Sequence, residues 1–534
     1  MNGVKLVNFR PAAFAAVFLC LGIFSAAALL FYDLPVWWLT LPLPLIIAFR
    51  KGKRKQTAVA VFLLLSAFWI GFGFAFCKID GFQKAKVYDA DEYYVTGSVV
   101  SESESVYGHR LVLTDIQIDG KAEDGRLIAY LPLSFEETVL QDNRVLLQGR
   151  LTKNQAVSAQ GEINWYYVSD GLRYTLQAET CVVIERPFSL FTFIRERVKT
   201  VLYAGMGETS AAVTMAILTG NDDGIEAGLL ENMRRGGIAH VFAVSGLHIG
   251  ALFAFALAVV DKTPLRNLAK GARFALVAAL LLFYGGVCGF SASITRATTI
   301  CLCLYAAKLL RVGKDFLEAL GAAAIVTLLL RPLSLFEAGF QLSFAACLGL
   351  ALLTRPIEKL CYKIVGDKRA KLPPTEQDMH PLGVRDRIKR SCVSFVSASL
   401  SAQIATAPLS LACFGYLSYL SLLLNVLFVP LVSAVYSLLL ITVSCAALFP
   451  VAWSGTILYV PSLVWSAALI LFQTIDFSAF CIENVAVPVS GLICYFLALS
   501  FVADKWNLSK PVRFAFALLC FLLSFSCLFV VNVV

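Results

Sequence analysis

Long apolar runs are the feature that most constrains how this chain can fold. About thirteen of them approach the ~20 residues that an α-helix needs to cross a bilayer. Only 15% of the residues are charged, whereas an ordinary soluble protein carries about 25%. This composition excludes a cytosolic enzyme, a soluble nucleic-acid-binding factor and a secreted domain. The sequence therefore predicts a polytopic α-helical membrane protein of about 13 spans.

The predicted spans are unevenly distributed, because one long polar segment separates the third from the fourth. A basic N-terminus precedes the first run as in a signal peptide, but two more runs follow at once, so we expect an uncleaved span. The run at 418–447 fits either one tilted helix or a broken pair around Asn425 and Pro430. The predicted spans lie near 12–31, 36–49, 57–77, 237–260, 274–290, 294–310, 315–330, 336–354, 392–413, 418–447, 450–475, 485–502 and 513–533.

The polar segment, residues 78–186, has the alternation of β-strands. Five short strands in such a length are typical of a small Greek-key barrel such as an OB-fold, with a sandwich as the alternative. The segment holds 17 Asp/Glu against 11 Lys/Arg, whereas OB-folds that bind single strands use a basic groove. A structural ectodomain is therefore the simpler interpretation. The predicted strands are 93–104, 109–119, 126–133, 143–153 and 172–185.

Loop charges predict how the chain is oriented, because Lys and Arg concentrate in cytoplasmic loops. Five cations between Arg50 and Lys55 and the ten Lys/Arg of 355–391 mark cytoplasmic loops. Alternation then places the N-terminus inside, and residues 78–186 and the C-terminus outside. The predicted domains are three N-terminal spans (1–77), the external OB-like domain (78–186), an amphipathic interfacial helical connector (187–235) and a transmembrane core (236–534).

Polar residues cluster at the start of the fourth predicted span. Ser245 and His248 are three residues apart and share one face of a helix, and His240 lies within the same arc. Gly246 and Gly250 form a GxxxG pattern that lets another backbone approach closely. Polar groups in hydrocarbon tend to face a cavity or the bundle interior. The cluster suggests a polar path, and local structural hydrogen bonds are the alternative for each residue.

Other polar residues interrupt the later apolar runs. Arg296 needs a partner or a watery cavity if it lies in the bilayer, and snorkelling to the interface is the alternative. Gln341 and Asn425 are polar residues in apolar runs that give a weaker signal of function, because each can simply hydrogen-bond one helix to another. Asp222 indicates first of all a helix cap.

Several motifs of enzymes and metal sites are absent from the sequence. It has no GxxxxGK[ST], so the chain carries no P-loop of its own. The string around Ser245 is AVSGL and not the GxSxG of a nucleophile elbow. Four histidines and no CxxC pair give neither a metallo-hydrolase cluster nor a structural zinc site. We expect no enzymatic activity, no metal and no cofactor.

Four segments, in this order, resemble the ComEC competence proteins, which form the inner-membrane channel for DNA uptake. The most specific part is AVSGLH, and the resemblance covers nearly the full chain. It implies that single-stranded DNA passes into the cytosol, that Ser245, His248 and Arg296 line or shape the path, and that Gln341 and Asn425 lie behind them. Asp222 matches a TGD-like position that fixes local structure. The segments are ILTGNDDGIEAGLLENMRRGGIAHVFAVSGLHIGAL, SITRA, GKDFLEALGAAAIVTLLLRPLSLFEAGFQLSFAA and the stretch ending FGYLSYLSLLLNVLFVPL.

The resemblance also implies partners besides the DNA strand and membrane lipid. Many family members continue into an external metallo-β-lactamase-like domain, whereas this sequence ends at Val534, so we do not carry nuclease activity over. We expect other proteins to supply an external DNA receptor or nuclease and a cytosolic ATP-driven translocase, which could dock on 355–391. Whether one chain or a homo-oligomer encloses the path is left open.

Two other functions remain as alternatives. The first is an ion- or proton-coupled transporter or exporter of a smaller solute, with His248 and Arg296 as the coupling pair. Inverted repeats would favour it, and the sequence shows no convincing repeat. The second is an intramembrane hydrolase with Ser245 and His248, against which the missing nucleophile elbow argues.

Overall fold

The structure of the protein is a computed structural model, which describes most of the chain from Arg10 to Leu463. The described residues are 10–32, 54–88, 92–105, 108–132, 139–158, 163–221, 224–238, 246–313, 315–364 and 384–463, with Ser466, Leu469, 481–483 and Tyr495. The described α-helices are α1 (Pro11–Tyr32), α2 (Arg54–Gln83), α3 (Trp165–Asp170), α4 (Leu190–Gly205), α5 (Glu208–Thr219), α6 (Ala227–Arg235), α7 (Gly246–Lys262), α8 (Lys270–Val287), α9 (Ala292–Leu310), α10 (Phe316–Leu330), α11 (Ala338–Ile364), α12 (Val384–Phe414), α13 (Ser421–Leu448) and α14 (Ser454–Ile457).

Seven helices in the described part of the chain are long and apolar enough to cross a membrane. The prediction of a polytopic helical membrane protein is thereby confirmed, and seven candidate spans are shown where about thirteen were predicted. The predicted runs at 36–49, 485–502 and 513–533 lie outside the described residues, apart from Tyr495. The open question at 418–447 is resolved, because α13 is one helix that contains Pro430. The seven spans are Pro11–Phe31, Phe62–Gln83, Lys270–Val287, Ala292–Leu310, Ala338–Ile364, Ile388–Phe414 and Ser421–Leu448.

The polar segment folds into a five-stranded barrel, as predicted. Strand β1 pairs with both β2 and β5, which closes the sheet in the order β1-β5-β6-β4-β2. The pair of β4 and β6 is parallel, and the other pairs of the barrel are antiparallel. Its strands are β1 (Tyr93–Ser105), β2 (Gly108–Ile118), β4 (Arg126–Leu131), β5 (Arg144–Lys153) and β6 (Leu172–Glu185), with the two-residue β3 (Lys121–Ala122) at the edge of β2.

Alternation of side chains explains why these residues form a barrel. Every second residue along β5 is buried, as expected when one face of each strand points into a shared core. The backbones of β5 and β6 meet at Gly149, where a Cβ atom would lie 2.0 Å from the carbonyl oxygen of Gln177. Only glycine allows this approach. A separate two-stranded sheet joins β7 (Tyr416–Ser418) to β8 (Cys481–Glu483).

The barrel docks on the ends of α2 and α10. Lys153 donates hydrogen bonds to the carbonyl oxygens of Gln83 (2.9 Å) and Ala85 (2.5 Å). Arg331, just after α10, forms ion pairs with Asp170 and, at 3.2 Å, with Glu337. Burial raises the pKa of the Glu337 carboxyl, opposed by the Arg331 guanidinium. Contacts at both helix ends fix the barrel relative to the spans.

The first span packs closely against two other helices, α2 and α10. A Cβ atom on Gly22 of α1 would lie 2.0 Å from the carbonyl oxygen of Phe68 in α2, and one on Gly71 would lie 2.4 Å from that of Leu19. On the other side of α1, a Cβ atom on Gly321 of α10 would lie 2.5 Å from Ala13. Small residues at these crossings let helix backbones touch, which is how helices associate where lipid offers no hydrophobic gain.

The predicted connector, 187–235, contains one amphipathic helix and one that is buried in the core. Helix α4 is amphipathic and leaves Phe188, just before it, and Phe193 exposed, as expected for an interfacial helix. Helix α5 is different, because its residues from Ser210 to Thr219 are all buried. Most of this stretch is apolar on every face, so α5 packs inside the transmembrane core.

Helix α4 joins the ends of two spans that the predicted alternation separates. Arg195 donates to the carbonyl oxygen of Val287 (3.5 Å), and Arg197 donates to those of Ala447 (3.2 Å) and Phe449 (2.7 Å). Residues two apart in a helix are about 3 Å apart along its axis, far less than the ~30 Å of a hydrocarbon core. The C-terminal ends of α8 and α13 therefore lie close together, both against α4. The predicted external C-terminus rested on that alternation and lies outside the described residues.

Candidate polar site between the core helices

The structure describes six of the nine residues that the sequence singled out. Asp222, His240 and Ser245 lie outside the described residues. The other six are Gly246, His248 and Gly250 on α7, Arg296 on α9, Gln341 on α11 and Asn425 on α13.

Arg296 is buried between three helices. It lies in the second turn of α9, whose start is capped by the Ser291 side chain, and it is only 6% exposed. Its Nη1 donates to the hydroxyl of Ser343 on α11, and its guanidinium carbon lies 5.8 Å from the ring centre of Phe344. The hydroxyls of Ser293 and Ser343 are 2.9 Å apart. Burial at this depth argues against snorkelling to the interface.

Gly246 makes room for the guanidinium at the start of α7. A Cβ atom on Gly246 would lie 2.9 Å from Nη2 of Arg296 and 3.5 Å from the Cβ of Ala297. A Cβ atom on Gly250 would meet nothing within 4 Å among the described atoms. The predicted close approach therefore occurs at Gly246, between α7 and α9, and not over the whole GxxxG pattern.

Arg296 has no carboxylate partner in the part of the chain that the structure describes. Other arginines of that part, such as Arg10 and Arg331, do form ion pairs, whereas Nε of Arg296 has no hydrogen-bond partner among the described atoms. Burying an uncompensated charge costs several kcal/mol, ~20 in the idealised limit. The N-terminal end of α7 adds to this cost, because the helix dipole places a partial positive charge there. The site thus concentrates positive potential.

His248 lies on another face of α7. Residues two apart on a helix do not face each other, so Gly246 points toward Arg296 while His248 meets the ring of Tyr436 on α13, with the ring centres 4.3 Å apart. His248 is 1% exposed and belongs to the core. This arrangement does not favour His248 and Arg296 as a directly coupled pair.

A second group of polar atoms caps the end of α5 beside Tyr436. The carbonyl oxygen of Leu218 accepts hydrogen bonds from the hydroxyl of Tyr284 (2.9 Å) and from Sγ of Cys288 (3.4 Å), both at the end of α8. The last carbonyls of a helix lack partners within the helix. Tyr284 and Cys288 therefore satisfy the end of α5 inside the core.

Gln341 and Asn425 contact different parts of the bundle. Gln341 donates to the carbonyl oxygen of Leu335 (3.1 Å) and lies 3.9 Å from Sγ of Cys413 at the end of α12. These contacts fit the interpretation that it ties helices together. Asn425 lies one turn after Ser421 on α13, and its buried Oδ1 has no hydrogen-bond partner among the described atoms.

Ser421 itself is the centre of a small polar contact at the start of α13. It accepts a hydrogen bond from Nε2 of Gln403 on α12 and donates one to the carbonyl oxygen of Ser418 (2.7 Å). Gly237 packs against it with a positive φ of 72°, and a Cβ atom there would lie 2.5 Å from the Cβ of Ser421. Gly237, just after α6, therefore packs against the start of α13, which Gln403 joins to α12.

The sequence interpretation missed the partners of the predicted residues. Ser293 is three residues before Arg296 on the same helix face, and Tyr284 and Cys288 are four apart in an apolar run, so helical spacing gave a signal for both pairs. Ser343 and Tyr436 carried no such signal, because only packing between helices brings them to Arg296 and His248. Within the described ranges no group of three or more His, Cys, Asp or Glu is placed to hold a metal ion.

Comparison with known proteins shows to which proteins the region that contains these helices is similar. A family model described as Competence protein matches residues 217–508, more than half of the chain. ComE operon protein 3 of Bacillus subtilis (strain 168) is 24% identical over 315 residues, which are 58% of this chain and 36% of that relative. The chain thus covers about a third of the relative's length. No solved structure matches.

Proposed function

Because the chain belongs to the competence protein family, we propose that it acts in DNA uptake and passes single-stranded DNA through the cytoplasmic membrane. The observation that carries this proposal is the family match over 217–508, since that region includes α7 to α13 and hence Arg296, His248, Gln341 and Asn425. The likeness to ComE operon protein 3 of Bacillus subtilis supports it.

The chemistry around Arg296 suits a polyanion. A DNA strand carries one negative charge per nucleotide, so its path needs cations, water and few carboxylates. Arg296 supplies a buried cation without a described carboxylate partner, and Ser293 and Ser343 supply hydroxyls beside it. Arg296 is only 6% exposed, so in this proposal the path opens where α7, α9 and α11 separate. Ser245 and His248 shape the path from α7 and its start, with Gln341 and Asn425 behind them.

The external barrel has a structural role in this proposal. Its 17 Asp/Glu against 11 Lys/Arg disfavour a DNA groove, and its contacts with α2 and α10 suit a domain that braces the spans. We place the N-terminus in the cytoplasm and residues 78–186 outside. An external DNA receptor or nuclease and a cytosolic ATP-driven translocase come from other proteins, the latter docking on 355–391. The chain itself performs no catalytic step.

DNA uptake in a naturally transformable host tests the proposal. Labelled duplex DNA is offered to the parent strain, to a strain with the gene deleted, and to deletion strains that express the wild-type, Arg296→Ala or Arg311→Ala protein at equal level. Arg311 ends the same helix and is exposed, so its variant controls for loss of a positive charge. We expect DNase-protected label to vanish on deletion and to return with the wild-type and Arg311→Ala proteins only. Unchanged uptake in the deletion strain would reject the proposal.

A further inference from the structure

The charge of Arg296 and the dipole of α7 both make the electrostatic potential at this site more positive. Nη2 lies beside Gly246 at the N-terminal end of α7, where the helix dipole is positive. Among the described residues, the guanidinium contacts the hydroxyl of Ser343 and the aromatic ring of Phe344, and neither group neutralises its charge. A buried positive site of this kind is stabilised when an anion binds.

We propose that the edge of Arg296 formed by Nε and Nη2, together with the start of α7, forms a binding site for a phosphodiester anion, and that Ser343, paired with Ser293, holds the guanidinium from Nη1. This inference rests on the proposed function in one respect, because the DNA strand in transit is the phosphodiester that we assign to the site. Since Arg296 is nine-tenths buried, the anion binds between α7, α9 and α11 and not at the protein surface.

The guanidinium presents the correct edge for an oxyanion. Nη1 is already engaged by Ser343, which leaves the edge formed by Nε and Nη2. Nε has no hydrogen-bond partner in the part of the chain that the structure describes, and Nη2 lies at Gly246. Two parallel N–H groups match two phosphate oxygens. Helix N-termini bind phosphates for the same electrostatic reason.

Binding to the full-length protein in phosphatidylcholine nanodiscs tests the site. The probe is a short fluorescein-labelled single-stranded oligonucleotide, compared with the same sequence carrying a neutral methylphosphonate backbone, and inorganic phosphate is the competitor. The variants are Arg296→Gln, which removes the charge, and Arg296→Lys, which keeps the charge but loses the fork. Arg311→Gln on the same helix is the matched control.

We expect the phosphodiester probe to bind more tightly than its neutral analogue and to be displaced by inorganic phosphate. Arg296→Gln should weaken binding about tenfold or more, which corresponds to the loss of one charge-assisted contact. Arg296→Lys should be intermediate, and Arg311→Gln should bind like the wild type. Equal affinity of the wild type for the two probes, or affinity of Arg296→Gln within about twofold of the wild type, would overturn the proposal. If Arg296→Gln fails to fold, the proposal is tested by the affinity of Arg296→Lys relative to the wild type and by the affinities of the wild type for the two probes.

A lipid phosphate is the other source of the same chemistry. If a lipid phosphate is the anion, phosphatidylglycerol added to the protein in lipid-free maltoside detergent will raise the melting temperature of the wild type but not of Arg296→Gln. It will also displace the oligonucleotide. That result supports the site and assigns its anion to lipid.

The two proposals can fail separately. Normal uptake in the deletion strain together with Arg296-dependent anion binding rejects the proposed function and keeps the site. Loss of uptake on deletion together with unchanged binding by Arg296→Gln rejects the site and keeps the function.

Discussion

Arg10 and Asp315, which are 305 residues apart in the chain, form an ion pair of 2.6 Å between the starts of α1 and α10. Asp315 also caps its own helix by accepting hydrogen bonds from the N–H groups of Leu317 (3.0 Å) and Glu318 (3.3 Å). Glu318 in turn accepts from the N–H groups of Ala12 (2.9 Å) and Ala13 (3.4 Å). The two carboxylates thus fix the starts of both helices at one level, and α1 and α10 run parallel.

Replacing Asp315 by Asn tests this junction. The substitution leaves Arg10, whose side chain is 6% exposed, without its counter-charge, while an amide oxygen can still cap α10. Asp315 is 36% exposed, so we expect a loss of about 1–3 kcal/mol rather than the full cost of a broken buried pair. The melting temperature of the purified protein measures it. Lys84→Gln is the control, because its ion pair with Asp80 is exposed; an equal effect of the two variants would contradict the prediction.

Gly246 and Gly250 form a matched pair on one helix. A methyl group on Gly246 would displace Nη2 of Arg296, which is the movable end of a side chain, whereas one on Gly250 has free space. We therefore expect Gly246→Ala to lower phosphodiester binding severalfold with a stability change below ~1 kcal/mol, since alanine also favours the helix. Gly250→Ala should leave binding unchanged and should not lower stability, since its methyl group has free space and alanine favours the helix. Binding and melting temperature of both variants check this, and equal binding would show that Arg296 does not depend on Gly246.

The barrel could be predicted from the sequence almost in full. Each of the five predicted strands agrees with the observed one to within two residues, because a two-residue alternation directly reports which side chains face the core. The closure of the barrel through β1 and β2 was implied only by strand number. The docking of Arg331 on Asp170 could not be predicted, because it joins two half-buried charges 161 residues apart.

The polar site could be predicted only as a set of separate residues. Arg296 stood out because a charge in an apolar run is rare, and the structure buries it as expected for a functional or pairing group. Its partner Ser343 lies in a run of small and apolar residues, where a serine is common. The contact of Arg197 with the end of α13 also escaped prediction, since apolar length shows that a helix can span a membrane but does not show where its end packs.

Glu123 makes the stability of the barrel depend on pH. Burial raises the pKa of this carboxyl, but hydrogen bonds from Lys86 and Tyr88 (the latter 2.9 Å) and the charges of Lys86 and Arg173 lower it below its ordinary value of 4.5 overall. A lowered pKa in the folded state contributes stability above the ordinary value, and this contribution is lost as the pH falls through the folded-state pKa. Glu123→Gln should therefore be less stable than the wild type at neutral pH.

The difference between the two proteins should shrink as the pH falls below 4.5. Melting temperatures of the full-length wild type and Glu123→Gln over a pH series measure it. Glu179→Gln, at an exposed position of β6, is the control and should show no such convergence. A constant difference between wild type and Glu123→Gln at every pH would mean that the charge of the carboxyl does not contribute to the stability of the barrel.

Gly349 determines how closely α11 and α12 approach, and this contact supports Ser343 on the same helix. A Cβ atom on Gly349 would lie 2.5 Å from the Cβ of Ala405 and 2.6 Å from the carbonyl oxygen of Ser401, and the backbone of α12 cannot yield to it locally. We expect Gly349→Ala to force the helices apart and to cost about 1–3 kcal/mol. Gly339→Ala, at the start of α11 with nothing within 4 Å of its Cβ position, is the matched control. A lower melting temperature and membrane level for Gly349→Ala alone confirm the contact, and equal behaviour of the two variants would show that the two helices are not in contact at this crossing.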